Sequence, residues 1–174
     1  KINSAIKISP DVVYYYYFKH IILRIFANNT DVLSHPECTQ FSGQTNDNEE
    51  YKKCIAEDLY SSLLTAKLQN PYWYFATVEL AEVSKQLGLD QESLNFYQES
   101  VRLLPTNRVL LHLLAQEYLA RGMHDETIEI IDKSLRITQA IQPPENNTRF
   151  TDEALDIKNR AISMQSALEK QNAY

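Results

Sequence analysis

Apolar and small residues recur at three- and four-residue steps through most of this chain, the spacing that gives a helix one buried face. In the segment Glu50 to Gln69, Ile55, Leu59, Leu63 and Ala66 share such a face. Leu80 and Ala81 mark a second helix, and Ser93, Tyr97 and Ser100 a third. Leu114, Ala115 and Tyr118, then Thr127, Ile131 and Ser134, mark two more. Gly88 and Gly122 fall between members of these pairs, where turns are expected. From Thr151 onward Leu155, Ile162 and Leu168 lie near one stripe of a mostly polar segment. Thr151 can cap its start, and Asp152 and Glu153 suit the positive end of a helix dipole. The chain holds only three glycines, which argues against a turn-dense sheet and predicts an all-α fold.

The helices repeat in register. Pro71 and Pro105 are 34 residues apart, as are Ala66 and Ser100, Ser100 and Ser134, Gly88 and Gly122, and Leu80–Ala81 and Leu114–Ala115. Tyr97 maps onto Ile131, so a bulky group is kept there. A fixed 34-residue register with these residue types resembles the tetratricopeptide repeat. The resemblance implies an α-solenoid of antiparallel helix hairpins, A then B, with a small residue at the A–B contact and a proline opening the next unit. It predicts one repeat over 74–107 and another over 108–141. Both lack the family's tryptophan near the start of helix A, having Thr77 and Leu111 instead, and Gln139 stands where a closing proline is expected.

Pro10 and Pro71 are 61 residues apart, one period plus 27. This spacing predicts a repeat over 11–73 with helix A at Asp11 to Ala27, helix B at Glu50 to Gln69, and an insertion around 28–49 in the A–B turn. Lys19 and His20 fall where Leu and Ala stand in the later repeats, so this helix A is divergent. Residues 1–10 read as the end of a preceding helix B, which suggests a piece of a longer protein. Residues 151–171 read as a helix capping the array.

Composition and charge narrow the partners. A net charge of −6 and a pI near 5.2 disfavour nucleic acid, whose phosphates need a basic face. The longest apolar run, Ile21 to Ala27, is interrupted by Arg24 and is far short of the ~20 residues of a membrane span. Cys38 and Cys54 flank the most polar stretch. A bridge between them would close that loop and favour an oxidising, extracytoplasmic location, with two free cytosolic thiols as the alternative.

Candidate chemistry is sparse. His35, Glu37, Cys38 and Cys54 have no zinc-ligand spacing, and no nucleotide-binding signature occurs. Asp90, Glu92, Asp125 and Glu126 read as solvated helix-start charges, with His124 as an exposed turn residue beside them. The expected absences are therefore catalysis, cofactor and metal. Asn28-Asn29-Thr30 and Asn146-Asn147-Thr148 are glycosylation sequons, relevant only in a eukaryotic secreted protein.

In the repeat family the helix A surfaces line the binding face. Counted from each proline, the inward positions are Tyr14, Tyr17 and Ile21, then Phe75, Val78 and Glu82, then Val109, His112 and Gln116. The basic set with which chaperone-binding members grip a terminal carboxylate is absent. Two aromatic bursts, Tyr14 to Phe18 and Tyr72 to Phe75, cannot be buried whole, because consecutive helical positions point around most of the circumference. Tyr14, Tyr17 and Phe75 are the expected ligand-facing rings. The expected function is a non-catalytic module that captures a protein or peptide segment. The stretch Asn70 to Gly88 also looks like the C-terminal repeat region of O-antigen ligase or polymerase-like membrane proteins. That likeness implies glycan or assembly partners outside the cytoplasm and a membrane-anchored parent chain. Self-association through exposed solenoid ends is a third expectation.

Overall fold

The structure, a computed structural model, describes Cys38, residues 49–141 and residues 148–172. Among the described residues there are six helices and no strand. They are α1 (Glu49–Gln69), α2 (Tyr74–Gln86), α3 (Asp90–Leu103), α4 (Arg108–Ala120), α5 (His124–Ile141) and α6 (Thr148–Asn172). The expected helix at 11–27, with Tyr14, Tyr17 and Ile21, lies outside the described residues, as does all of the inserted stretch except Cys38 and Glu49. The chain divides into two compact units, Lys1–Phe96 and Tyr97–Tyr174, with the division inside α3.

In the first unit α1 packs on α2. Tyr51, Ile55, Ala56, Leu59 and Leu63 of α1 form one core with Ala76, Leu80 and Val83 of α2. Leu63 and Leu80 are fully buried. Each such side chain contributes on the order of 1.5–3 kcal/mol through removal of apolar surface from water. Cys38 joins this core and is disulfide-bonded to Cys54 on α1, with Cα atoms 6.0 Å apart.

The α2–α3 and α4–α5 turns are built alike. Gly88 has φ +72° and Gly122 φ +71°, a left-handed conformation that glycine adopts without steric cost. Around Gly88, Leu89 N–H donates to the Ser84 carbonyl at 2.8 Å and Gly88 N–H to Lys85 at 3.1 Å. Around Gly122, Met123 N–H donates to Tyr118 at 3.0 Å and Gly122 N–H to Leu119 at 3.1 Å. Both are Schellman closures, which satisfy the last carbonyls of one helix while reversing the chain into the next. The start of α4 is fixed differently. The Asn107 side chain accepts from Val109 N–H at 3.0 Å and Leu110 N–H at 3.4 Å, capping donors that have no partner within the helix.

In the second unit α4 and α5 form a hairpin against which α6 lies. Ala115 and Leu119 of α4, Ile131 of α5, and Ala154, Ile157 and Ala161 of α6 make its core. Residues related by 34 positions match in burial within each unit's own environment: Ala66, Ser100 and Ser134 are 0 to 1% exposed, and Ala81 and Ala115 fully buried. Small side chains at these points let helix backbones approach closely.

Three expectations need correction here. The buried stripe of α6 is Ala154, Ile157 and Ala161, whereas Leu155, Ile162 and Leu168 are 42%, 42% and 48% exposed. The close approach of α6 to the hairpin selects small side chains for the contact, so the leucines fall on its flanks and beyond its end. His124 is buried rather than exposed, and its Nδ1 has no hydrogen-bond partner. The Gly122 turn is so short that the first residue of α5 already starts inside the packed hairpin. In addition α6 starts at Thr148, so Thr151 sits within its first turn instead of capping it.

Candidate functional site

The helix A positions expected to face a partner occur in both units, and each set is described within its own. In the first unit Phe75, Val78 and Glu82 are all half-buried on α2, at steps of three and four residues along one stripe. The Phe75 ring stacks on Trp73, with centroids 6.2 Å apart and planes 27° apart. The aromatic burst therefore splits. Trp73 and Phe75 pack together, while Tyr72 is 84% exposed and Tyr74 partly so. Leu68, near the end of α1, is 75% exposed. Sequence periodicity missed it because Leu68 lies off the Ile55–Leu59–Leu63–Ala66 stripe. The same unit holds a cleft of about 970 Å³ between the first half of α1 and the end of α2, lined by Glu50, Lys53, Ile55, Leu59, Leu87 and Gly88 among others. Its described lining combines the apolar Ile55, Ala56, Leu59 and Leu87 with the oppositely charged Glu50 and Lys53.

In the second unit Val109 and Gln116 are exposed on α4, but His112 between them is buried. Its Nε2 lies 3.0 Å from Ser134 Oγ on α5, and its ring meets Phe150 of α6 at 5.8 Å, tilted by 57°. Arg108, one turn before His112, places its guanidinium over the same Phe150 ring, 4.7 Å from the centroid, and donates to Thr138 Oγ1 at 3.3 Å. Phe150 is thus held between an imidazole and a guanidinium. Burial pushes the His112 imidazole below its usual pKa of 6.5, the Glu153 carboxylate on α6 pulls it back up, and Arg108 pushes it down. Of the three positions read from the α4 sequence, two are open and one is covered by α6.

Polar clasps complete the α5–α6 contact. Lys158 Nζ donates to Asp132 Oδ1 at 2.6 Å, and Gln165 Nε2 to Asp125 Oδ1 at 2.8 Å. Just past the end of α4, Arg121 grips the buried Glu117 of that helix, with Nη2 to Oε1 at 2.7 Å, so that carboxylate is paired. The described residues contain no group of three or more His, Cys, Asp or Glu side chains placed to hold a metal ion. No described helix is long and apolar enough to cross a membrane.

The arrangement is that of an all-α helical-repeat protein of the tetratricopeptide type, an α-solenoid by class. No family model matches the chain, and no curated protein matches it. Solved structures do. A crystal structure of MamA aligns over 99% of this chain and 88% of its own, at a TM-score of 0.53 and 18% identity. A second MamA structure covers 97% and 81%, at 0.52 and 17%. The crystal structure of TTC0263, a thermophilic TPR protein of Thermus thermophilus, covers 94% and 69%, at 0.56 and 18%. These similarities establish the fold and leave function to be argued from the surface.

Proposed function

We propose that this chain is a protein-interaction scaffold that binds an extended or helical segment of a partner along its helix A faces, without catalysis. The observation that carries the reading is the presentation of half-buried Phe75, Val78 and Glu82 on α2 in the first unit and, separately, of exposed Val109 and Gln116 on α4 in the second. Rigid helices carrying half-buried rings and a few polar groups suit peptide capture, because little side-chain entropy is lost on binding. Tyr14 and Tyr17, helix A positions read from the sequence alone, are proposed as further partner-facing rings. His112 belongs to it only when α6 is displaced.

The test is selection of peptides from a displayed library against the purified chain, followed by calorimetry on the variants Phe75→Ala and Gln116→Ala. The reading expects micromolar binders that lose about tenfold or more in affinity, ~1.4 kcal/mol, on at least one of these changes. A control at Gln91, which is exposed on α3, is expected to bind normally. Failure to select any binder, or binders indifferent to both changes, contradicts it.

The Cys38–Cys54 disulfide favours a second reading, in which the chain works in an oxidising compartment as an extracytoplasmic repeat region of a glycan ligase-like membrane protein. Binding of oligosaccharides to the chain, lost on Phe75→Ala, would support that reading over the first.

A further inference from the structure

The α4 face that carries Val109, His112 and Gln116 is covered at its middle by α6, and the way α6 is held is unusual for a core helix. Among the described side chains of α6, residues 150–171, only Ala154, Ile157 and Ala161 are buried, and two of these are alanines. Beside the partly buried Ile128, Ile130 and Leu135 of α5, which pack against the same core, polar and aromatic attachments help hold it: Lys158 to Asp132, Gln165 to Asp125, and Phe150 between His112 and Arg108. Both partners of the Lys158–Asp132 pair are partly exposed, which limits its strength. The Gln165–Asp125 bond is exposed as well.

His112 is the group in this contact whose charge can change near neutral pH. We propose that α6 is a proton-gated cover, in which protonation of the buried His112 favours its exposure to water and lets α6 lift from the α4–α5 hairpin, exposing the middle of the α4 face. The charges acting on His112 are Arg108 on its own helix and Glu153 on α6, while α5 faces it with the neutral Ser134 hydroxyl. An imidazolium there is partly desolvated and sits near the Arg108 guanidinium, both of which disfavour it. Glu153 opposes this by attracting the charged ring, and it departs with α6 when the helix lifts.

The sign follows from burial outweighing that attraction. With α6 docked, His112 binds its proton less tightly than a solvated histidine, whose ordinary value is 6.5. Docking is at full strength above about pH 6.5. It weakens as pH falls through 6.5 toward the depressed docked value, and becomes constant below that value. Each pH unit separating the docked and undocked values corresponds to about a tenfold shift in the opening equilibrium.

Amide hydrogen exchange of the whole chain, corrected for intrinsic rate, tests this at pH 7.5 and pH 5.5. The lower limit keeps ordinary carboxylates ionised. The expected result is a loss of protection over 148–172 of about threefold or more at pH 5.5, with α4 and the body of α5 unchanged. His112→Gln, which keeps a hydrogen-bonding group beside Ser134, is expected to abolish the pH effect. Glu153→Gln is expected to enlarge it, and serves alone if His112→Gln does not fold. His124→Gln, the control for the second imidazole of the unit, is expected to retain it. A pH effect that survives His112→Gln, vanishes with His124→Gln, shrinks with Glu153→Gln, or spreads equally over α4, α5 and α6 overturns the proposal.

Discussion

The α1–α2 contact and the α5–α6 contact both lay one helix against another, but they are made from different materials. The first buries Ile55, Leu59 and Leu63 against Leu80 and Val83, with the Cys38–Cys54 disulfide fastened to the same core. The second buries two alanines and an isoleucine of α6 beside Ile131 and finishes the contact with Lys158 and Gln165, while on the neighbouring α4 the Phe150 ring is held by Arg108 and His112. Apolar burial is insensitive to pH, whereas polar clasps and an imidazole respond to it. A repeat protein built this way keeps one part of its scaffold fixed and leaves another part adjustable.

The sharpest way to break the comparison is to remove one large side chain from each contact. Leu80→Ala deletes a fully buried group and is expected to destabilise the first unit by about 2–5 kcal/mol in chemical denaturation. Reduction of the Cys38–Cys54 bridge comes next. Its sequence separation of 16 corresponds to about 3 kcal/mol in the chain-entropy picture, so the reduced protein should melt clearly earlier in a thermal scan. Leu155→Ala on α6 is expected to cost about 1 kcal/mol or less, well below the loss from Leu80→Ala, since that side chain is 42% exposed. A large loss from Leu155→Ala would restore the leucine stripe as the packing face and collapse the distinction.

The repeat pattern is legible in the sequence because it rests on residues with few structural alternatives. Gly88 and Gly122 are 34 residues apart and both adopt the left-handed turn, and the small residues at 66, 100 and 134 are all buried. Such positions tolerate little else, so their period shows through diverged neighbours. The face of α6 is not legible in the same way. Hydrophobicity alone favours Leu155, Ile162 and Leu168, but the hairpin demands small side chains where backbones approach, and that requirement arises only once three helices meet. His112 shows the same limit from the functional side. Its offset from Pro105 puts it among the expected partner-facing positions of α4, yet it is buried, and Phe150, 38 positions later in the sequence, packs against it. The Asn107 cap is readable in principle, as an asparagine directly before an apolar run, but Pro105 two residues earlier gives the stronger boundary signal and masks it.

The contrast between a fixed and an adjustable contact is tested most directly by native-state amide exchange at pH 7.5 across a series of low urea concentrations. Amides of α6 are expected to exchange through an opening of lower free energy and smaller urea dependence than those of α4 and α5, because lifting α6 alone exposes less apolar surface than unfolding the hairpin as well. A single free energy and a single urea slope shared by α4, α5 and α6 would mean that the helix is an integral part of one cooperative core, and would contradict it.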